Sequence, residues 1–203
     1  MREAIRARFH GNLGRVDHLV ELYAAAVAGQ GRRTVATADL LRAAVVFLHA
    51  TLEDLLRSIL EWRLPVADAA SLREVPLAGK KPRSTITLDE LAAFRGLSVQ
   101  DVIQRSVVDH LDRSNFNDPG EVDSVLEKVG LQKGLLNPHR DLLGPMMKRR
   151  HWIVHRADRD VARGPNHHAA LPLGQPEVDA WSGSLRQFGE AVLNALPNDE
   201  AQP

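Results

Sequence analysis

Residues 37–65 read TADLLRAAVVFLHATLEDLLRSILEWRLP, and the spacing of their apolar side chains decides the fold. Leu41, Val45, Leu48, Leu52, Leu55, Leu56 and Ile59 recur at three- and four-residue steps, the period of one buried face of an α-helix. Thr37 stands before Ala38-Asp39-Leu40 as an N-cap and Pro65 marks the end, so a helix is expected to about Arg63. A stripe this long needs other helices to cover it.

The flanking sequence supplies them. Ile5, Phe9, Leu13, Val16, Val20, Tyr23 and Val27 keep the same period, although Gly11 and Gly14 each cost a helix interior about 1 kcal/mol against alanine. From Val66 to Ile86 the chain turns irregular. Short helices are then expected over Leu88–Phe94 behind Thr87, over Val99–Leu111 behind Ser98, and over Glu121–Val129 behind Asp118-Pro119, the last stopped by Gly130. Asn137-Pro138 opens a further helical stretch. Gly144-Pro145 is expected to interrupt or kink it, with Pro145 starting the helix that follows, because the residue before proline avoids the helical region. A loop rich in Gly, Pro and His spans 159–175, and a last helix from near Pro176 carries Val178, Trp181, Leu185, Phe188 and Val192. No alternating strand pattern and no repeat stands out. The expected fold is all-α: one helical domain over 1–196, short helices inserted over 66–118, and a disordered tail over 197–203.

Composition narrows the function. The 203 residues carry 26 basic and 26 acidic side chains, so nucleic-acid binding would need a local patch rather than the whole surface. The absence of cysteine removes disulfides, thiolate zinc sites and a cysteine nucleophile. No apolar stretch approaches the roughly 20 residues that span a bilayer, and the first residues lack the hydrophobic region of a signal peptide. A soluble cytoplasmic protein is expected, with no membrane contact.

The local patch is Lys148-Arg149-Arg150-His151-Trp152-Ile153-Val154-His155-Arg156-Ala157-Asp158, basic residues around a short apolar centre. Arginine holds phosphate and histidine moves protons near neutral pH. An Arg-x4-His spacing alone is weak, since about one such pair arises by chance in this composition. Arg105 with His110 and Arg163 with His168 share it; the first reads as a helix edge, and the second flanks Gly164-Pro165-Asn166. A five-residue step turns Arg150 and His155 about 140° apart on a helix, so one copy of the segment does not align them. His151 and His155 do share a face at metal-ligand spacing, but Trp152 stands where a His-Glu-x-x-His site has its glutamate, and no metal is assigned. Trp152, Ile153, Val154, Trp181 and Phe188 are assigned to the core, and the scarce aromatics offer no stacking platform. His49 is read as a core histidine, and Glu53 as an exposed acid paired with Arg57.

Three segments in order resemble the HEPN domain family, in the group associated with ribosomal-protein-like RNase toxins. They are Phe47–Arg57, then Ser114–Pro119 with Val129-Gly130-Leu131, then Arg150–Asp158, within roughly residues 37–196. The resemblance implies an up-and-down helical bundle of the HEPN type and a homodimer whose two motif copies form a composite site. It implies Arg150 and His155 as catalytic residues of a metal-independent endoribonuclease that needs no cofactor. The ribose 2′-hydroxyl would attack the adjacent phosphorus, with tRNA or mRNA as substrate. His155 would serve as general acid or base and Arg150 would hold the phosphate oxygens. His151, Arg149, Lys148 and Arg156 would assist or bind RNA, Glu53 would orient the motif arginine, and His49 would lie behind it. Arg149 precedes His155 at an allowed five-residue gap and is the alternative motif arginine. The family position after the arginine is most often Asn, here His151. One subgroup's regulatory tyrosine two residues after the histidine is here Ala157. The family also implies a toxin or effector of a toxin–antitoxin or antiphage defence system, with an antitoxin or defence partner. The alternatives are a catalytically silent module binding RNA, a nucleotide or a protein, and a scaffold.

Overall fold

A computed structural model describes residues 1–28, 34–81, 85–160, 162, 164 and 169–197. Eight α-helices form among them: α1 (Arg2–Ala28), α2 (Val35–Arg63), α3 (Ala69–Leu72), α4 (Leu88–Ala92), α5 (Val99–Asp112), α6 (Pro119–Lys128), α7 (Arg140–Arg156) and α8 (Gln175–Ala195). Leu64–Val66 and Asn137–His139 add single 3-10 turns. The described residues hold no strand beyond one isolated bridge, Arg159 to Ala170. The chain is all-α.

The four long helices alternate in direction. Arg8 and Asn12 of α1 reach Asp54 of α2 at 3.0 and 3.2 Å, while Arg15 lies over the Phe47 ring, so the two run antiparallel. α8 returns along α1, with His10 on Glu190 at 2.7 Å and Asp17 on Arg186 at 2.9 Å. α7 runs back along α2, bringing Asp158 to Arg42. α2 touches all three partners. Its stripe from Leu41 to Ile59 is buried against Phe9, Leu13, Met146, Met147, Leu185 and Phe188. The short helices lie between α2 and α7 in sequence, and α5 packs on α2.

Three boundaries depart from the sequence reading. Thr34 is the N-cap of α2, and Thr37 is the third helical residue that answers it in a capping box. Residues 35 and 36 already extend the helix, which a threonine nearer the apolar stripe disguised. Pro145 lies inside α7 rather than at its start. It is exposed, while Leu143, Met146 and Met147 beside it are buried, so packing carries the helix through the missing N–H. α3 forms within the stretch expected to be irregular; Asp68 caps its single turn by accepting from the Ser71 N–H.

α2 with its 3-10 extension, Val35–Val66, is also long and apolar enough to cross a membrane by length and composition. That corrects the expectation that no stretch approaches spanning length. Its apolar stripe is instead covered by the other helices of the bundle. The tail beyond Pro197 lies outside the described residues.

Candidate functional site

The basic run occupies the last turns of α7, and the helical rotation distributes its side chains over three directions. Arg149 turns toward α2. Its Nη2 donates to the Asp158 carboxylate at 2.8 Å and to the carbonyls of Leu171 and Pro172, both at 3.0 Å. Arg42 donates to the same carboxylate oxygen at 2.8 Å and to the same Leu171 carbonyl at 3.0 Å. Asp158 is fully buried, and the two arginines are only 11% and 12% exposed. Arg149, assigned to RNA as a phosphate contact or alternative motif arginine, is therefore occupied inside the protein.

Arg150 turns another way, into the groove between α2 and the turn at 115–118. Its Nη1 lies 3.4 Å from the Asn117 Oδ1, and its Nε is buried with no partner. Behind it sits His49, fully buried, paired through Nε2 with the Phe116 carbonyl at 3.1 Å. The other ring nitrogen faces Glu53 at 3.9 Å. Burial lowers the His49 pKa most; Glu53 raises it, the Arg150 guanidinium lowers it, and the Phe116 carbonyl raises it. Glu53 makes no ion pair with Arg150 or with Arg57 within 4 Å. Arg57 is instead held by the carbonyls of Leu111 and Ser114, over the Phe116 ring.

The third direction is solvent. Lys148, His151, His155 and Arg156 are all exposed. The His151 and His155 rings lie against each other, tilted by 46° with centroids 4.6 Å apart. The Lys148 Nζ lies 5.2 Å from the Trp152 centroid. Ile153 is partly buried and packs against the core, whereas Trp152 is only partly buried outside it and Val154 is 49% exposed, which corrects the assignment of those two. Trp181 and Phe188 are buried as expected. No group of three or more metal-type ligands gathers among the described residues.

Arg150 and His155 thus share a helix without sharing a face. Sequence reading singled out neither Arg42 nor Asp158; an aspartate following a basic run, in a chain this helical, was the available signal. His139 was missed as well. It is buried against the Phe188 ring and bonds the Ser184 Oγ at 3.1 Å. The pair Arg163 and His168 lies outside the described residues. Compared with protein-family models, with curated proteins and with solved structures, the chain gives no match.

Proposed function

We propose that this chain is a HEPN-type, metal-independent endoribonuclease. The observation that carries the reading is the solvent-facing pair His151 and His155, ring centroids 4.6 Å apart, with Lys148 on the same face of α7 and the exposed Arg156 one residue beyond His155. Two adjacent imidazoles supply what 2′-hydroxyl transphosphorylation requires. One takes the 2′-hydroxyl proton as its oxygen attacks phosphorus; the other protonates the departing 5′-oxygen. The products are a 2′,3′-cyclic phosphate and a free 5′-hydroxyl. Lys148 and Arg156 stand where they offset charge growing on the non-bridging oxygens. Arg150 faces away in its own chain, so its contribution to phosphate would require the homodimeric, composite arrangement that the resemblance implies. The setting as toxin or defence effector, with an antitoxin or partner protein and tRNA or mRNA as target, belongs to the same proposal, as does a cytoplasmic location.

The direction of Arg150 favours a second reading, a silent module that binds RNA through the exposed face without cutting it. One experiment separates them. Total RNA and purified tRNA are incubated with wild type and with His155→Ala, EDTA present, and product ends are mapped. The ribonuclease reading expects chelator-resistant cleavage with cyclic-phosphate ends, reduced about 10²–10⁴-fold by the substitution. RNA binding without cleavage in either protein selects the silent module.

A further inference from the structure

Beside the histidine pair lies an open cavity of about 190 Å³ lined by Trp152, Arg156, Arg159, Asp160, Ala162 and Leu171. We propose that it is a single-nucleotide pocket, taking one base of bound RNA against Trp152 and its phosphate on Arg156 and Arg159. This rests on the RNA-directed reading above and names how the substrate is gripped.

Four observations converge on it. First, Trp152 has Lys148 over its ring and is half-buried, yet also lines an open cavity. A fixed indole bordering open space is a surface on which any base can stack. Second, Arg156 and Arg159 are exposed, and neither side chain makes an ion pair or hydrogen bond with a described residue. The cavity's one acid, Asp160, already accepts from the Ala162 N–H at 3.2 Å. Third, the arginines converge because the chain reverses between them. Ala157 and Asp158 both hold positive φ, 48° and 56°, and the Arg159 N–H donates to the Arg156 carbonyl at 3.1 Å. Two successive non-glycine residues in this region are strained and persist only where their surroundings fix them. Fourth, the far wall is held rigidly. Leu171 donates to the Asp158 carbonyl at 2.8 Å and accepts from both Arg42 and Arg149. The volume falls below the usual range for drug-sized ligands, leaving room for one ring system. On the helix wheel His155 and Trp152 are neighbours about 60° apart, so a base here lies next to the histidine pair.

The test uses the full chain, its own tryptophan emission and an uncleavable 2′-O-methyl hexanucleotide, alongside the four nucleoside 5′-monophosphates and inorganic phosphate. The hexanucleotide and at least one monophosphate are expected to quench emission saturably, and inorganic phosphate is not. Quenching should vanish in Trp152→Leu, although Trp62 and Trp181 still emit. Arg156→Ala with Arg159→Ala should weaken binding about ten-fold or more. Trp152→Phe, followed by anisotropy of a labelled hexanucleotide, should retain most of the affinity and guards against misfolding of the leucine variant. Quenching that survives Trp152→Leu, an affinity untouched by the double arginine change, or no binding at all would overturn the pocket. RNA cleavage without Trp152-dependent binding sinks the pocket alone. Trp152-dependent binding, retained in His155→Ala and never followed by cleavage of natural RNA, sinks the nuclease alone.

Discussion

Removing the Asp158 carboxylate would leave the nearly buried Arg149 with only the Leu171 and Pro172 carbonyls as acceptors, while Arg42 would keep the Leu171 carbonyl and the exposed Asp39 carboxylate at 3.0 Å. Breaking a buried pair from one side commonly costs about 3–5 kcal/mol, because the surviving charge is stranded. Asp158→Ala is expected to lose that order of stability in urea unfolding, and a loss below about 1 kcal/mol would show the network to be dispensable. His49 makes a different prediction, because burial holds its pKa below the ordinary value. The folded state keeps the ring neutral while the unfolded chain protonates it below pH about 6.5, so stability is full above that value and declines as pH falls. His110 and His139 are lowered too, both chiefly by burial, and act in the same sense. The stability in urea unfolding should therefore drop from pH 7.5 to 5.5, with His49 contributing up to about 1.4 kcal/mol per pH unit, and His49→Gln should make the decline shallower. An unchanged slope in that variant would remove His49 from the account. At this scale the basic run was legible, but the division of labour between Arg149 and Arg150 was not. One helical step of 100° separates an arginine clasped by Asp158 from one beside Asn117, and the decisive partner Arg42 lies 116 positions from Asp158.

Among the helices, α1 and α8 approach closely at Gly189. A Cβ on Gly189 would meet the Phe9 ring at 2.3 Å, and Phe9 is buried with nowhere to retreat. Gly189→Ala is expected to cost about 1–3 kcal/mol by overpacking, despite alanine's better helix propensity, and to be partly restored by Phe9→Leu. Thermal melting of the single and double variants checks this; a more stable Gly189→Ala would mean that α8 shifts freely against α1. Gly11 and Gly14 are the contrast, since nothing lies within 4 Å of an added Cβ at either. The apolar period located α1, α2 and α8, because burial of one face leaves a mark at each turn, whereas α7 was placed by its prolines. Pro145 was misjudged for a related reason: proline's local cost is visible in sequence, whereas the packing of Met146 and Met147 that outweighs it is not. Trp152 and Val154 erred the other way, being apolar residues near the end of α7 that stay partly or largely exposed.

For the whole molecule, equal numbers of acidic and basic residues mean that the proposed RNA binding must rest on a local patch, the exposed residues of α7 and the turn after it. Contacts from Lys148, Arg156 and Arg159 alone should give single-stranded RNA binding a log–log salt slope of about −2, at about 0.7 per phosphate neutralised. Lys148→Ala should reduce it by about 0.7, and a slope near zero would remove phosphate contact as the basis of binding. The all-helical class was legible because it follows from composition and period together. The alternating order of the four long helices entered only through the resemblance, since it depends on long-range pairs such as Asp17 with Arg186 that leave no local trace.

The clasp of Asp158 on Arg42 also bears on time. It can close only after α7 has docked on α2 and the chain has returned past Leu171, whereas α1 and α2 meet across a short connection. Contacts that close long loops late are absent from the transition state and act on the rate of escape from the native state. Asp158→Ala should therefore steepen unfolding in a stopped-flow chevron while refolding keeps its pace. The buried carboxylate governs how long a folded molecule survives, and has little say in how quickly one is made.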